Sequence, residues 1–410
     1  MSRPMPTKLV IAAARLWDGL SDALLEPGYV LVQGERIMGR GQGSVPKLYA
    51  QWPRRDLGDA TLLPGLIDAH VHLSLTGEAD PAGTMARETS HRTVLRAARH
   101  ARDTLDGGIT AVRDCGGRDF GDIALRDAIA AGELRGPLIR AAGRAICMTG
   151  GHGWFFGRQA DGIDDCRRAA REQLQAGADF VKVMATGGVL TAGSEAGLPQ
   201  LELEELAAAV GEARKAGKPA AAHAQGLTGA RQAVLAGVSS LEHGVDLSDE
   251  LIELMARREV FLVPTFSAPQ KILAAAPEGK MPRHVVDKTL RLYEAHEASF
   301  RRALAGGVRV AMGSDAGTPA NRHGDNLDEV AYLVRAGMRV VDAWRAATTG
   351  SASLLGLSGT LGSVDEGLQA DLVAISGDAM TDLESLPSRV VWVMHKGAVV
   401  KDRSGGGVRE

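Results

Sequence analysis

Through the middle of the chain one rhythm repeats. A short apolar run closes on a polar or glycine-rich corner, and a helix-patterned stretch follows. The apolar runs read LLPGLIDAHVHL, ITAVRDCGG, LIRAAGRAICMTGGHG, FVKVMATGG, KPAAAHAQG, SSLEHG, VFLVPTF and VRVAMGSDAG. Between them lie amphipathic stretches such as LELEELAAAVGEARKAG and GARQAVLAG. Strand and helix in alternation predict a parallel sheet with right-handed crossovers. Strands repeated this way favour a (β/α)8 TIM barrel over an open doubly wound sheet. The glycine-rich corners do not separate the two, since neither a dinucleotide fingerprint nor a P-loop is present.

The two ends of the chain carry a different pattern. KLVIAAARLWDG and GYVLVQGERIMG near the start are short apolar segments broken by Gly, Asp and Pro, as are GSVDEGLQADLVAISGD and RVVWVMHKGAVVKD near the end. Such segments predict hairpins. A small β-sandwich built from residues 1–60 and 358–410 is expected, with the barrel, residues 61–357, inserted into it.

Composition narrows the function. The chain has 410 residues, 45% hydrophobic, 4% aromatic, and 51 glycines. That suffices for a large core and suits many tight strand–helix turns. Lys+Arg number 47 against Asp+Glu 50, a formal net charge of -3. This balance gives no support to nucleic-acid binding. The three cysteines, Cys115, Cys147 and Cys166, have no zinc-ribbon spacing, so a reducing compartment is expected. Met1 to Thr7 lack a basic segment leading into an apolar signal core, and no apolar run is long enough to span a bilayer. The expectation is a cytoplasmic protein with no membrane partner, acting on a small molecule. Apolar barrel helices would suit packing into a homo-oligomer.

Polar residues at the strand ends carry the chemistry. His70 and His72 close the first segment, one residue apart, so in a strand both imidazoles face one side. Either they bind one metal ion or they are satisfied structural histidines. Lys182 lies inside FVKVMATGG, where a buried cation is costly. It is salt-bridged or snorkelling, or its amine has captured CO2 as a carbamate able to bridge two metals. Histidines on other strands favour the carbamate. His223 and His243 end consecutive segments at equivalent corners. Asp315 closes the eighth, as a metal ligand and proton acceptor or as the N-cap of the next helix. A barrel brings the C-terminal ends of its strands to one face, so these six would meet.

The set resembles the amidohydrolase superfamily, in particular its binuclear branch that includes Xaa-Pro dipeptidases, arginine/lysine carboxypeptidases and ochratoxinase-like amidases. The motifs that carry the resemblance run over nearly the whole chain: PGLIDAHVH, TAVRDCGG, TGGHG, VKVMATGGV, AHAQG, LEHG, GSDAG, HGDNLDEVAYLVRAGM and GSVDEGLQADLVAI. The resemblance implies a distorted (β/α)8 barrel with a small β-sandwich from both termini. It implies two divalent ions, zinc in the usual case: His70, His72 and Asp315 on one, His223 and His243 on the other, and carboxylated Lys182 bridging them. The implied reaction is amide or peptide-bond hydrolysis of a dipeptide or N-acyl amino acid, with Asp315 as general base and then acid.

For substrate contacts, His152 stands at the third corner, and Arg322 and His323 follow Asp315, where they could pair with a substrate carboxylate. A solvent-satisfied loop is the competing reading of that pair. Some relatives carry a tyrosine two residues after the fifth-strand histidine; Gln225 stands there. It can hydrogen-bond a substrate carbonyl but lacks a phenol's acidity. A mononuclear deaminase, or a hydrolase of cyclic amides or carbamates, is the alternative on this scaffold, and Lys182 argues against the deaminase. A non-catalytic scaffold protein is disfavoured because all six positions are filled.

Overall fold

A computed structural model of the protein describes residues 8–405 and 408–409. Met1 to Thr7, the stretch read as lacking a leader, lie outside the described residues.

The central region is an α/β fold on parallel strands. Leu66–Val71 (β1) pairs with Ile109–Asp114 (β2), and β2 with Leu138–Ala141 (β3). The chain runs on into Ile146–Cys147 (β4), which pairs with Val181–Met184 (β5). Ala220–Ala224 (β6), Ser240–His243 (β7) and Phe261–Val263 (β8) follow in spatial order, all parallel. Every residue of β1, β2 and β5 to β8 is buried, as their near-continuous apolar runs require of strands covered on both faces.

Three segments depart from the single strands the sequence predicts. The first is two strands. Ala60–Pro64 pairs antiparallel with Leu372–Ser376, and only after Gly65 does β1 begin. A Cβ on Gly65 would lie 2.3 Å from Thr110 Oγ1, so only glycine passes this crossing point. The third segment is broken into β3 and β4 across Gly143, which takes φ 72°. The eighth forms no continuous ladder. It touches β8 at Val310 and β1 at Ala316, each by one parallel bridge. Its backbone bonds both neighbours, Met312 O accepting from Ala69 N at 2.7 Å and Ala311 N donating to Leu262 O at 3.1 Å, but Ser314 N is diverted to Asp68 Oδ1 at 3.0 Å.

Strands from the two ends of the chain share two sheets. One joins Lys8–Ala13, Gly28–Gln33, Arg36–Gln42, Arg54–Asp56 and Val408–Arg409; the other joins Arg15–Leu16, Ala60–Pro64, Leu372–Ser376, Val390–His395 and Ala398–Asp402. Ile11, Val30, Leu62, Leu372 and Trp392 from both sheets form one buried cluster. The helices lie with an apolar stripe inward. Asp249–Arg257, for example, starts at a Ser248 side-chain cap and buries Leu251, Ile252 and Met255. Among the described residues no helix is long and apolar enough to cross a membrane, and the three cysteines are free and buried.

Candidate metal centre and active site

The strands deliver the six residues singled out in the sequence to one place. His70, His72, Lys182, His223, His243 and Asp315 all line the same cavity. The strand register explains the levels. Met184 pairs with His223 and Ala224 with His243, so the two imidazoles stand at the strand tips. Lys182 pairs with Ala221, two residues deeper.

Each histidine is oriented by its far nitrogen. His70 Nδ1 donates to Glu242 Oε2 at 2.7 Å, and His72 Nδ1 to the Gly116 carbonyl at 3.1 Å. His243 Nδ1 donates to Thr265 Oγ1 at 2.7 Å, since the Thr265 hydroxyl gives its own proton to Pro264 O. These three therefore turn an Nε2 lone pair inward. His223 is the reverse: its Nε2 faces the Gly187 carbonyl at 3.4 Å, which leaves Nδ1 free. A metal-binding imidazole needs its second nitrogen held in this way.

Asp315 Oδ1 lies 3.5 Å from His70 Nε2 and 3.6 Å from His72 Nε2. The three ligand atoms of His70, His72 and Asp315 lie within 4.8 Å of one another. Asp315 caps no helix, as the next one starts at Asp328. It sits at φ 58°, and His243 and Thr265 take φ 70° and 59°. Left-handed backbone at non-glycine residues costs about 1–3 kcal/mol each and gathers where function demands it. Asp68 holds the Asp315 corner, accepting from His70 N, Ser314 N and Asn326 Nδ2.

Lys182 is 1% exposed, and its Nζ has no hydrogen-bond partner. It is thus neither salt-bridged nor snorkelling. Asp315 Oδ1 is likewise unpartnered. Burial keeps the surrounding imidazoles neutral: His72 falls to about 4, and His70, His223 and His243 fall well below 6.5. Neutral imidazole is the metal-binding form. Burial pushes the Asp315 carboxyl up to about 7, an effect that a nearby divalent charge would oppose. Two unpartnered buried groups among four neutral imidazoles are a donor set that fits divalent metal.

The substrate-side residues divide. His152 and Gln225 line the cavity. His152 shares a hydrogen bond with Thr191 Oγ1 at 3.0 Å, and Gln225 Oε1 is unpartnered. Arg322 and His323 are not in the cavity lining, so the expected carboxylate clamp is not assembled there. Arg322 is exposed. His323 turns behind the centre, its Nε2 donating to the His72 carbonyl at 3.2 Å and its ring stacked on His100.

Several site residues escape a sequence reading. Glu242 and Arg113 are charged residues inside apolar strands, which was a usable signal. Arg113 donates to both Glu242 oxygens, at 2.8 and 2.9 Å, and to Ser240 Oγ at 2.9 Å, all at full burial. Lys288, on the helix Arg283–Ala305, has no such signal. Its ammonium binds the carbonyls of Gly188, Thr191 and Ser194 and so pins the loop that orients His152.

Residues 61–400 match the amidohydrolase family. This chain belongs to that family. As an amidohydrolase it is a hydrolase acting on C–N bonds. It is similar to ochratoxinase from Aspergillus niger, 29% identical over 424 aligned residues that cover 96% of this chain and 86% of that protein. Its structure is similar to that of a Xaa-Pro dipeptidase with methionine bound in the active site: TM-score 0.88, 33% identity, 96% of this chain and 100% of that one. A prolidase complexed with N-methylphosphonate-L-proline gives TM-score 0.87 at 30% identity, covering 97% of this amidohydrolase and 100% of that chain.

Proposed function

We propose that this amidohydrolase cleaves an amide or peptide bond using two divalent metal ions. The observation that carries the reading is Lys182, an amine sealed in the fold with no partner, in a cavity that four imidazoles also line. As an ammonium it would be an uncompensated buried charge; as a carbamate it becomes an anionic ligand with two oxygens. His70, His72 and Asp315 would hold one ion, His223 and His243 the other, and carboxylated Lys182 both. Zinc is the occupant we expect, though nitrogen and oxygen donors accept other divalent ions. Bound there, the ions supply Lewis acidity that makes water nucleophilic near neutral pH and polarises the scissile carbonyl.

The chain's own groups do the rest. Asp315 Oδ1, free of any partner, takes the proton of the attacking water. The same oxygen then returns it to the leaving nitrogen, which cannot depart as an amide anion. Glu242 and Thr265 keep His70 and His243 from rotating while this happens. His152 and Gln225 border the cavity on the substrate side, where each can hydrogen-bond the substrate carbonyl.

The fold reading that goes with this function is a distorted eight-stranded barrel over residues 61–357 and a small sandwich from 1–60 and 358–410. The two bridges made by residues 310–316 support closure. Strand Ala60–Pro64 is shared across the first boundary.

Elemental analysis of purified protein should find about two equivalents of divalent metal per chain. Lys182→Ala should lose metal and turnover together, with partial return of turnover on adding a short carboxylic acid. Full activity in the metal-stripped protein or in Lys182→Ala overturns the proposal.

A further inference from the structure

The walls of the cavity above the proposed centre are mostly apolar, with Gln225, Thr289, Tyr293 and Thr318 as uncharged polar members. Phe156, Val189, Leu190, Ile272, Leu292 and Pro319 come from five separate parts of the chain to enclose it. Among the described residues, the only lining side chains that are acidic or basic, apart from histidines, are Lys182 and Asp315, both assigned to the metal centre.

Cations near the cavity are engaged or outside it. Lys288 is bound by backbone carbonyls, Lys271 by Asp328 and Arg291 by Glu195 at 2.8 Å. Arg322 is exposed and outside the lining. A carboxylate carried into such a cavity would lose its water and find no counter-ion on the walls.

Resting on the amide-hydrolase reading, we infer that the substrate is an amide whose group beyond the scissile nitrogen is apolar and uncharged, not an amino acid with a free carboxylate. The enzyme is then an amidase for hydrophobic neutral amides, and free dipeptides and N-acyl amino acids are poor substrates. The pocket recognises this group by shape and by exclusion of charge.

The test compares N-acetylphenethylamine with N-acetylphenylalanine, which differ only by the carboxylate, on the metal-loaded enzyme. Hydrolysis and calorimetric binding are measured in parallel. The neutral amide should be favoured by at least about tenfold in kcat/KM and in Kd. Equal or inverted preference overturns the inference. A binding preference for the neutral amide without hydrolysis of either compound supports the pocket assignment and counts against the amide-bond reading it rests on. Leu292→Arg, at a half-buried position that accommodates a long side chain, should move the preference toward the acid by about tenfold. Leu190→Lys is the second variant if the first fails to fold, and no movement in a folded variant overturns the placement of the apolar group. Arg322→Met should leave the ratio unchanged; selective loss of the acid would overturn the inference by giving Arg322 the carboxylate.

Discussion

Glu242 Oε2 accepts the Nδ1–H of His70 at 2.7 Å while the same carboxylate is forked by Arg113. One buried anion thereby fixes both the tautomer and the tilt of the imidazole that faces Asp315. Glu242→Gln keeps the shape and removes the charge. Metal affinity should fall about 10–100-fold, the range seen when a ligand's supporting carboxylate is lost. Residual activity should return at high metal concentration. Unaltered metal retention through dialysis would show that Glu242 only neutralises Arg113.

Lys182 makes a prediction about stability with the opposite sign to that about activity. In metal-free protein its amine is buried and unpartnered. Lys182→Met preserves length and removes the charge, so it should stabilise the metal-free fold by on the order of 2 kcal/mol while abolishing turnover. Denaturant titration of stripped wild type and variant decides this. A destabilised variant would mean that the ammonium has a partner in solution.

Lys288 should act through the loop it holds. Lys288→Met leaves three carbonyls without their donor, a cost of about 1–3 kcal/mol for a buried unsatisfied group. The loss should be local, with faster amide exchange across residues 187–196 and a several-fold rise in KM through the misplaced Thr191–His152 pair. Equal exchange in wild type and variant would refute the tether.

The acid side of the stability profile should respond to His100. Its Nδ1 donates to Leu73 O at 2.8 Å, and burial lowers its pKa from 6.5 to about 4. The unfolded chain takes a proton at the higher value and the folded protein only at the lower one. Stability is therefore lost as pH falls from 6.5 toward 4, and nothing is lost above that window. His100→Gln retains a donor for Leu73 O and should flatten the slope there by up to about 1.4 kcal/mol per pH unit. Identical slopes in urea titrations across the window would rule this out.

The legible part of the site was the part in which chemistry interrupts an apolar strand. His70, His72, Lys182, His223, His243 and Asp315 each break or end such a run, and a parallel sheet must bring run ends together. Arg322 and His323 lie outside the cavity lining, because closeness in sequence to Asp315 does not fix the direction of a loop. Gly317, at φ 103°, turns the chain between them, and His323 ends behind His72. Lys288 could not be found locally, since it lies 94 to 100 residues from the carbonyls it binds. The eighth segment reads as a strand and does bond both neighbours through its backbone, but Ser314 N goes to Asp68 instead and interrupts the ladder.

The crossing at Gly65 has a bearing on how the protein is made. Strand Ala60–Pro64 runs directly into β1, which carries His70, and its partner Leu372–Ser376 is about three hundred residues downstream. On the ribosome, vectorial synthesis releases the first strand long before its partner exists. The nascent chain can settle β1 against β2 early, but the strand ahead of Gly65 finds its partner only when the last segments emerge. A chain that ends before residue 372 would hold all six candidate ligands but leave the strand leading into β1 with an open edge where Leu372–Ser376 belongs.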